Sequence, residues 1–411
     1  MQADKLIPHL FRSEYSKIVS VLCRHYGLEQ VEQAEDIASE TFLSAAQSWA
    51  LNGVPENPTA WLYTVAKNKT KNYLRRNNLF ENKIAPELKK ALEAIDEPGI
   101  DLSPENINDS QLQMMFALCH PTISVDAQIS LSLRILCGFG IEEIADAFLT
   151  NKETINKRLF RAKEKLREEK IRVEMPGASE IEQRLAAVLR TIYLLFSEGY
   201  YSLSNDVTLR KDLCFEAMRL CNILVENKTT DLPEVNALLS LMCFHASRFD
   251  ARMDINGELI LYDQQDETLW DQELIARGAW FFHHAAGGDQ ISKYHLEAGI
   301  AWCHTQKTNS KEKWEQILQL YNQLLQLEYS PVAALNRTYA LSRAHGKKEA
   351  IEEAEKLNLA NNHFYFLLLG ELYSDMDTAK ARQHFEKALA LAKTQTDKQT
   401  IEKKMDRLMR G

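Results

Sequence analysis

Thr154–Lys170, TINKRLFRAKEKLREEK, carries seven Lys and Arg against three Glu in a chain whose formal net charge is −9. Its apolar residues decide its shape. Ile155, Leu159, Ala162 and Leu166 are spaced by four, three and four, so on a helix they form a single buried stripe. Asn156, Lys157, Phe160, Arg161 and Glu164 then point outward. Immediately upstream, GIEEIADAFLTN (Gly140–Asn151) supplies a short helix over Ile141 to Phe148 and a turn over Leu149 to Asn151, before a longer helix starting near Lys152. This is the layout of a helix-turn-helix, in which residues at the start of the second helix reach base edges in the major groove while flanking Lys and Arg neutralise phosphates. The same composition fits a basic surface helix on an interaction module; the EEIA helix in front of it favours the DNA reading.

The rest of the chain fits a mostly helical protein. It has 411 residues, 45% of them hydrophobic, long enough to bury a sizeable core in two or three domains. Gly and Pro are scarce, and Leu, Ala, Glu, Lys and Gln abundant, which predicts an all-α fold. Seven cysteines (Cys23, Cys119, Cys137, Cys214, Cys221, Cys243, Cys303) are scattered without C-x-x-C spacing. With no basic-plus-apolar leader at the N-terminus, this predicts a reducing cytoplasm. No apolar run approaches the eighteen or so residues of a membrane span, so a soluble protein with no membrane partner is expected. Acidity does not exclude nucleic acid, because charge is local. Residues 1–172 hold 22 basic and 24 acidic side chains and the remainder 27 and 34, but the basic ones cluster in Lys67–Arg76 and Lys152–Arg172.

Composition divides the chain. A helical block (1–79) is interrupted at LNGVPENP, Leu51–Pro58, where Gly and two Pro cannot continue a helix. An acidic, aperiodic linker follows (80–110), then a second helical block (111–172). RVEMPGASE, Arg172–Glu180, marks the next boundary, and 181–411 reads as one long helical domain. That domain repeats: HLEAGIAW, VAALNRTY and FLLLGELY begin at His295, Val332 and Phe366, 37 and 34 residues apart, and end near Trp302, Tyr339 and Tyr373. Ile317, Tyr321 and Leu324, and later Ala381, Phe385 and Ala388, take the positions of a second helix. The pattern resembles tetratricopeptide (TPR) repeats, in which small residues let helices approach and aromatics fill the space between. Generic antiparallel helix pairs without a true repeat fit the same spacing.

The first block has its own signature, AEDIASETFLSAAQSWALNGVPENPTAWLYTVAKNKTKNYLRRNN (Ala34–Asn78). Asp36 and Glu40 are four apart and share a helix face. The later helix mixes Trp61, Tyr63 and Tyr73 with Lys67, Lys69, Lys71, Arg75 and Arg76, which suits strand separation, since bases stack on rings while cations follow the backbone. Trp61, Leu62 and Val65 fit equally well as core.

Together the two blocks resemble sigma-70-type RNA polymerase sigma factors of the compact extracytoplasmic-function (ECF) class. AEDIASETFLSAAQSW and AWLYTVAKNKTKNYLRR are similar to the two signature helices of region 2, and GIEEIADAF with ETINKRLFRAKEKLR to region 4. MMFALCHPTISVDAQISLSLRILCGF and YLLFSEGYYS, followed by a long helical tail, resemble the ECF subgroup with a TPR-like C-terminal extension. Leu118 stands where that subgroup has a first Cys, and Ser197 where it has Asn.

The resemblance implies core RNA polymerase as partner, through its β′ clamp and β flap, together with promoter DNA. Asp36, Glu40 and Phe42 would dock on the clamp. The Leu51–Pro58 loop, with Asn57, would capture a flipped base of the minus 10 element, and Trp61, Lys67, Lys71, Arg75 and Arg76 would hold the opening duplex. Asn156, Lys157, Phe160 and Arg161 would read the minus 35 element, with Lys152, Arg158, Lys163 and Lys165 on phosphates. The tail would regulate the sigma core, through an intramolecular contact among other routes. Phe196, Glu198, Gly199 and Tyr200 are candidates for domain coupling, or else a helix C-cap at Gly199 with packing aromatics.

No chemistry is expected of the chain itself. GxxxxGK[ST], GxSxG and HExxH patterns are missing from the sequence, so no enzyme, cofactor or metal is expected. Cys119 and His120 read as structural, and His245, His283, His284, His295 and His304 as ordinary helix residues. A helix-turn-helix regulator that is not a polymerase subunit is the competing reading; an interaction scaffold that never meets DNA is the third.

Overall fold

The computed structural model describes residues 3–81, 100–148, 150–201, 211–252, 260, 262–392 and 395–410; of these, 3–5, 74–81, 146–147, 201, 263, 395–396 and 409–410 are described by backbone alone. Among the described residues the regular elements are helices, with no strand. The all-α expectation therefore holds. The chain divides into two compact units, Met1–Leu195 and Phe196–Gly411.

In the first unit α1 (Ala3–Tyr26) ends at Gly27, whose φ of 91° lets its N–H bond back to the Cys23 carbonyl at 2.8 Å. This break was not expected from the sequence. A short 3-10 turn, Leu28–Gln30, leads into α2 (Val31–Asn52). The loop expected at Leu51–Pro58 is present: α2 stops at Gly53, and Asn57 opens α3 (Pro58–Glu81) by accepting from the Ala60 N–H at 3.0 Å. α4 runs over Pro104–Leu118 and so begins inside the stretch read as linker. The reason is local: Ser103 caps the helix and Pro104 occupies its first turn, so the same polar residues that look like a linker are a helix start. Residues 82–99 of that stretch lie outside the described residues. α5 (Val125–Ile135), α6 (Ile141–Ala147), α7 (Lys152–Glu168) and α8 (Ala178–Tyr201) follow.

α1 is the shared wall of this unit and packs on both α2 and α4. Ile18, Val19, Leu22 and Cys23 of α1 are buried, as are Phe42 and Trp49 of α2 and Leu62 of α3. On the α4 side, Gln111 donates to the Ser16 hydroxyl at 3.4 Å in a fully buried contact, and Arg24 reaches Asn106 at 2.9 Å. The division between units falls between Leu195 and Phe196, inside α8, rather than at Arg172–Glu180. Arg184 of α8 donates to the Phe116 carbonyl at 3.5 Å, which ties the start of that helix to α4.

The second unit is a succession of helices, each packed on its neighbours in the chain: α9 (Lys211–Glu226), α10 (Pro233–Ala246), α11 (Gln272–Ala285), α12 (Lys293–Cys303), α13 (Lys311–Leu327), α14 (Pro331–Ala344), α15 (Lys347–Leu357), α16 (His363–Tyr373), α17 (Thr378–Leu391) and α18 (Gln395–Arg410). Side-chain caps start many of them. Asp271, Ser310, Ser330, Asn362 and Asp377 each accept from a backbone N–H of the first turn. The repeated segments fall on α12, α14 and α16, and the second-helix positions Ile317, Leu324, Ala381, Phe385 and Ala388 are buried, with Tyr321 half-buried.

Small residues set the helix spacing. A Cβ at Gly370 of α16 would meet the Phe385 ring of α17 at 2.5 Å, and one at Gly299 of α12 would meet Leu320 of α13 at 3.2 Å. Phe385 is 2% exposed, and its ring already fills the space over Gly370. Gly370→Ala is therefore expected to destabilise the protein by about 1–3 kcal/mol through overpacking. Gly177→Ala, where nothing lies within 4 Å, is expected to stay within about 0.5 kcal/mol. Urea unfolding followed by circular dichroism distinguishes the two; equal midpoints would contradict the close-packing account.

Candidate nucleic-acid interface

The α6–turn–α7 segment is built from the stripe that the sequence marks. Ile155, Leu159, Ala162 and Leu166 are all buried, which fixes the rotation of α7 about its axis. Its N-terminus is set by Asn151, whose side-chain oxygen accepts from the Thr154 N–H at 2.9 Å and the Thr154 hydroxyl at 3.0 Å. Asn156, Lys157, Phe160 and Arg161 consequently face out, and the Phe160 ring is 63% exposed. Lys157 and Arg161 form no ion pair among the described residues and line a groove of about 540 Å³ between α7 and the start of α5. Thr122 and Ser124 line its other side. Sequence reading missed these two. Ser124 stands at the N-cap of α5 with no side-chain cap bond, so its hydroxyl and the helix N–H groups there are placed to meet an anion together with Lys157 and Arg161.

The other basic residues of α7 are engaged differently. Lys152 pairs with Glu142, and Lys165 with Glu169 at 2.9 Å; both lysines lie at the surface, and the Glu169 carboxylate raises the Lys165 pKa. Arg158 is turned inward. It bonds Ser130 at 3.3 Å, approaches Asp126 at 3.6 Å and lies over the Phe148 ring at 4.7 Å. Lys163 is also taken up, donating to Glu35 of α2 at 2.5 Å. In this arrangement Lys163 is not presented to a phosphate, and Arg158 lines the groove while engaged by Ser130 and Asp126. Sequence places both on the polar side of α7 but cannot show what packs against that side.

Glu35 deserves its own description because it is 8% exposed and charged groups are rarely buried without partners. Its two oxygens are divided between Lys163 of α7 at 2.5 Å and Arg134 of α5 at 3.4 Å. Glu32, one turn earlier on α2, meets Arg167 at 3.4 Å. The basic helix is thus fastened to α2 through two of its cations, Lys163 and Arg167, with Arg134 of α5 adding a third contact.

Further along α2, Asp36 and Glu40 are exposed, and Lys69 of α3 meets Glu40 at 3.1 Å. Phe42, expected to dock on the clamp with them, is not on that exposed face: it is 5% exposed and packs edge-on against Phe11 at 5.0 Å. Position 42 falls on the same side as Ile37, Ala38, Ala45 and Trp49, the face of α2 that builds the core. The apolar residue beside the carboxylates is Leu43, 59% exposed, and positions 36, 40 and 43 follow the i, i+4, i+7 rule. That spacing was readable in the sequence.

On α3, Trp61 is half-buried and packs edge-on against Trp49 at 5.5 Å, while Leu62 is fully buried. Asn57 serves as the helix cap already noted. Lys67 is half-buried and Lys71 exposed. The side chains of Arg75 and Arg76 lie outside the described residues. Cys119 and His120 form a helix end. The Cys119 thiol is buried, which pushes its pKa up to about 12, and Gln128 donates to the His120 carbonyl at 3.0 Å. All seven cysteines are buried and none is in a disulfide, and no group of three or more His, Cys, Asp or Glu among the described residues could hold a metal.

In the second unit, α8 runs through Gly199 to Tyr201 rather than ending at Gly199. Phe196 stacks on Tyr200 at 5.7 Å, Tyr200 meets His245 at 4.7 Å, and Arg252 lies 3.9 Å over the Tyr200 ring. Phe196, Gly199 and Tyr200 are buried and Glu198 is half-buried. No helix of the described chain is long and apolar enough to cross a membrane.

Comparison with known proteins agrees with this geometry at the N-terminus. The profile of sigma-70 region 2 matches residues 10–79, and that of a family of unknown function, DUF6596, matches residues 184–286. The chain is 27% identical over 168 residues to the ECF RNA polymerase sigma-E factor of Haemophilus influenzae, covering 40% of this chain and 87% of that one. It is 31% identical over 398 residues to the uncharacterized protein R00370 of Rhizobium meliloti, covering 95% of this chain and 93% of that one. No solved structure matches it. The chain thus carries a sigma-70 region 2 over α1–α3 and, by this end-to-end likeness, belongs to the same family as the uncharacterized Rhizobium meliloti protein.

Proposed function

We propose that the chain is an ECF-class sigma factor that binds core RNA polymerase, directs it to particular promoters and carries a TPR-like C-terminal extension that regulates it. One observation carries the reading. A single unit holds both an acidic-apolar helix face on region 2, Asp36, Glu40 and Leu43, and a capped helix pair whose outer face presents Asn156, Lys157, Phe160 and Arg161. A DNA-binding regulator outside the polymerase has no use for the first face. The polymerase performs the chemistry and the chain supplies promoter choice, working in the reducing cytoplasm that its unpaired thiols suit.

On this reading Asp36 and Glu40 meet basic residues of the β′ clamp, and burial of Leu43 contributes about 1 kcal/mol. The loop around Gly53 and Asn57 receives a base of the minus 10 element. Trp61, Lys67, Lys71, Arg75 and Arg76 line the opening duplex; flipping a base costs a few kcal/mol, which these contacts must offset. The α6–turn–α7 pair serves as region 4, bound to the β flap. It reads the minus 35 element with Asn156, Lys157, Phe160 and Arg161, while Lys152, Lys165 and the Thr122–Ser124 groove meet phosphates.

The compact arrangement is then a closed state. The two promoter elements lie roughly 25 base pairs apart, on the order of 80 Å along the duplex at about 3.4 Å per base pair. A compact body of this unit's length has a radius of gyration of about 16 Å and a width of about 40 Å. To span both elements, α7 must leave α2, which breaks Glu35–Lys163, Glu35–Arg134 and Glu32–Arg167 and frees Lys163 for phosphates.

Two measurements test this. Purified protein added to core polymerase is expected to give promoter-dependent transcription from its own upstream promoter. Lys157→Ala with Arg161→Ala is expected to weaken binding of that promoter and to lower the slope of log affinity against log salt by about two phosphate contacts' worth, roughly 1.8. Promoter binding with no core association would instead establish the regulator reading. Glu35→Gln removes the charge that holds α7 and is expected to raise affinity for core polymerase at least about fivefold, within the range of a typical coupling energy. Unchanged or weaker association in pull-down titration would contradict the closed state.

A further inference from the structure

The second unit contains a feature that promoter binding does not use. Between its helices lies a cavity of about 920 Å³, walled by Tyr262, Trp314, Tyr339 and Phe385 and reached by Arg248 and His304. This volume lies within the range of small-molecule sites, roughly 300–1,000 Å³. The rings are mutually braced: Tyr262 meets His304 at 5.0 Å, and Trp314 meets Tyr339 at 5.6 Å. The wall is therefore a fixed aromatic surface rather than a loose apolar patch.

Arg248 is the unusual member. It is 7% exposed, yet it forms no ion pair with a carboxylate among the described residues. Its side-chain contacts are a 3.5 Å approach to the His245 ring nitrogen and a position 5.5 Å from the centre of the Tyr262 ring, and its Nε has no hydrogen-bond partner. A buried guanidinium normally has a carboxylate or several acceptors, because stripping its hydration is costly. His304 beside it does not supply a second charge. Burial, then Arg248 and Lys313, lower its pKa to about 3, and its Nδ1 is also without a partner. Two buried polar groups at one end of the cavity thus await an acceptor or donor that no described residue provides.

The carboxylates that line the cavity do not answer this need. Glu371 is paired with Lys404, and Asp375 with Lys347 at 2.5 Å. Both belong to α16 and the turn after it, further along the succession of helices. The last helix, α18, contributes Lys404, Arg407 and Leu408 to the wall, so the chain bounds its own cavity at that end. That shape suits a small molecule better than an extended peptide, and Arg407 adds a further cation with no ion pair among the described residues.

We propose that this cavity is a binding site for a small molecule with an aromatic body and an anionic head of the carboxylate or phosphate-monoester class. The head is held by Arg248 with a hydrogen bond from or to His304, and the body lies among Tyr262, Trp314 and Tyr339. The planar guanidinium offers two parallel N–H donors to either head group. The site requires nothing of the sigma reading, and its test involves no polymerase, so one can fail without the other.

The full-length protein is titrated with two fluorescent probes of similar shape, the anionic 1-anilinonaphthalene-8-sulfonate and the neutral N-phenyl-1-naphthylamine. Wild type is expected to bind one anionic probe per chain, at least tenfold more tightly than the neutral one, with quenching of tryptophan emission. Arg248→Gln is expected to weaken the anionic probe at least tenfold and leave the neutral one within twofold, with Arg248→Lys between. Benzoate or phenyl phosphate should displace the anionic probe, and whichever does so better identifies the head. Equal affinity of wild type for the two probes would overturn the proposal even if Arg248→Gln fails to fold. So would anionic binding unchanged in a folded Arg248→Gln, or no displacement by either competitor.

Discussion

The first unit depends on one buried carboxylate. Glu35 is largely taken out of water on α2, and Lys163 and Arg134, from α7 and α5, close on it from the other block of the chain. That contact sets where α7 sits, and through the stripe Ile155–Leu166 it sets which residues of α7 face away. It also separates the roles of a helix that looks uniformly basic. Lys163 and Arg158 are spent inside the unit, and Lys157 and Arg161 remain at the surface. A pair of this kind adds little net stability when intact, but breaking one side leaves a charge exposed to a poor environment. It is therefore suited to holding two bodies together until a competing partner replaces it.

The second unit rests on packing instead of charge. Gly299 and Gly370 let successive helices approach until Leu320 and the Phe385 ring of the next helix fill the space, and capped helix starts keep the turns short. Where the helices diverge, the rings line a cavity instead of closing it, and Arg248 is stranded at one end. The two units thus show opposite solutions to burying a cation: one supplies the carboxylate from within the chain, the other leaves it to a ligand.

Much of this was legible in the sequence because it is local. The α7 stripe, the break at Leu51–Pro58 and the repeat positions Ile317, Phe385 and Ala388 follow from periodicity and breakers, which depend on residues a few positions apart. What was not legible involves distant partners or competing local signals. Glu35 and Lys163 are 128 positions apart, and nothing at either position announces the other. Phe42 and Leu43 are adjacent apolar residues on α2, and only the full helical wheel tells the buried one from the exposed one. Ser103-Pro104 reads as linker and as helix start alike. Arg248 looks like any surface arginine until the rings around it are assembled.

The most direct test of the closed sigma core is a distance. Spin labels at the exposed positions Gln47 on α2 and Glu153 on α7 report whether the helices stay together, by pulsed electron resonance on the full chain. The free protein is expected to give one distance shorter than about 40 Å, the width of a compact unit. With core polymerase and promoter DNA it is expected to lengthen beyond about 50 Å, as a body spanning two elements on the same duplex requires. The same short distance in both states, with transcription intact, would contradict the account.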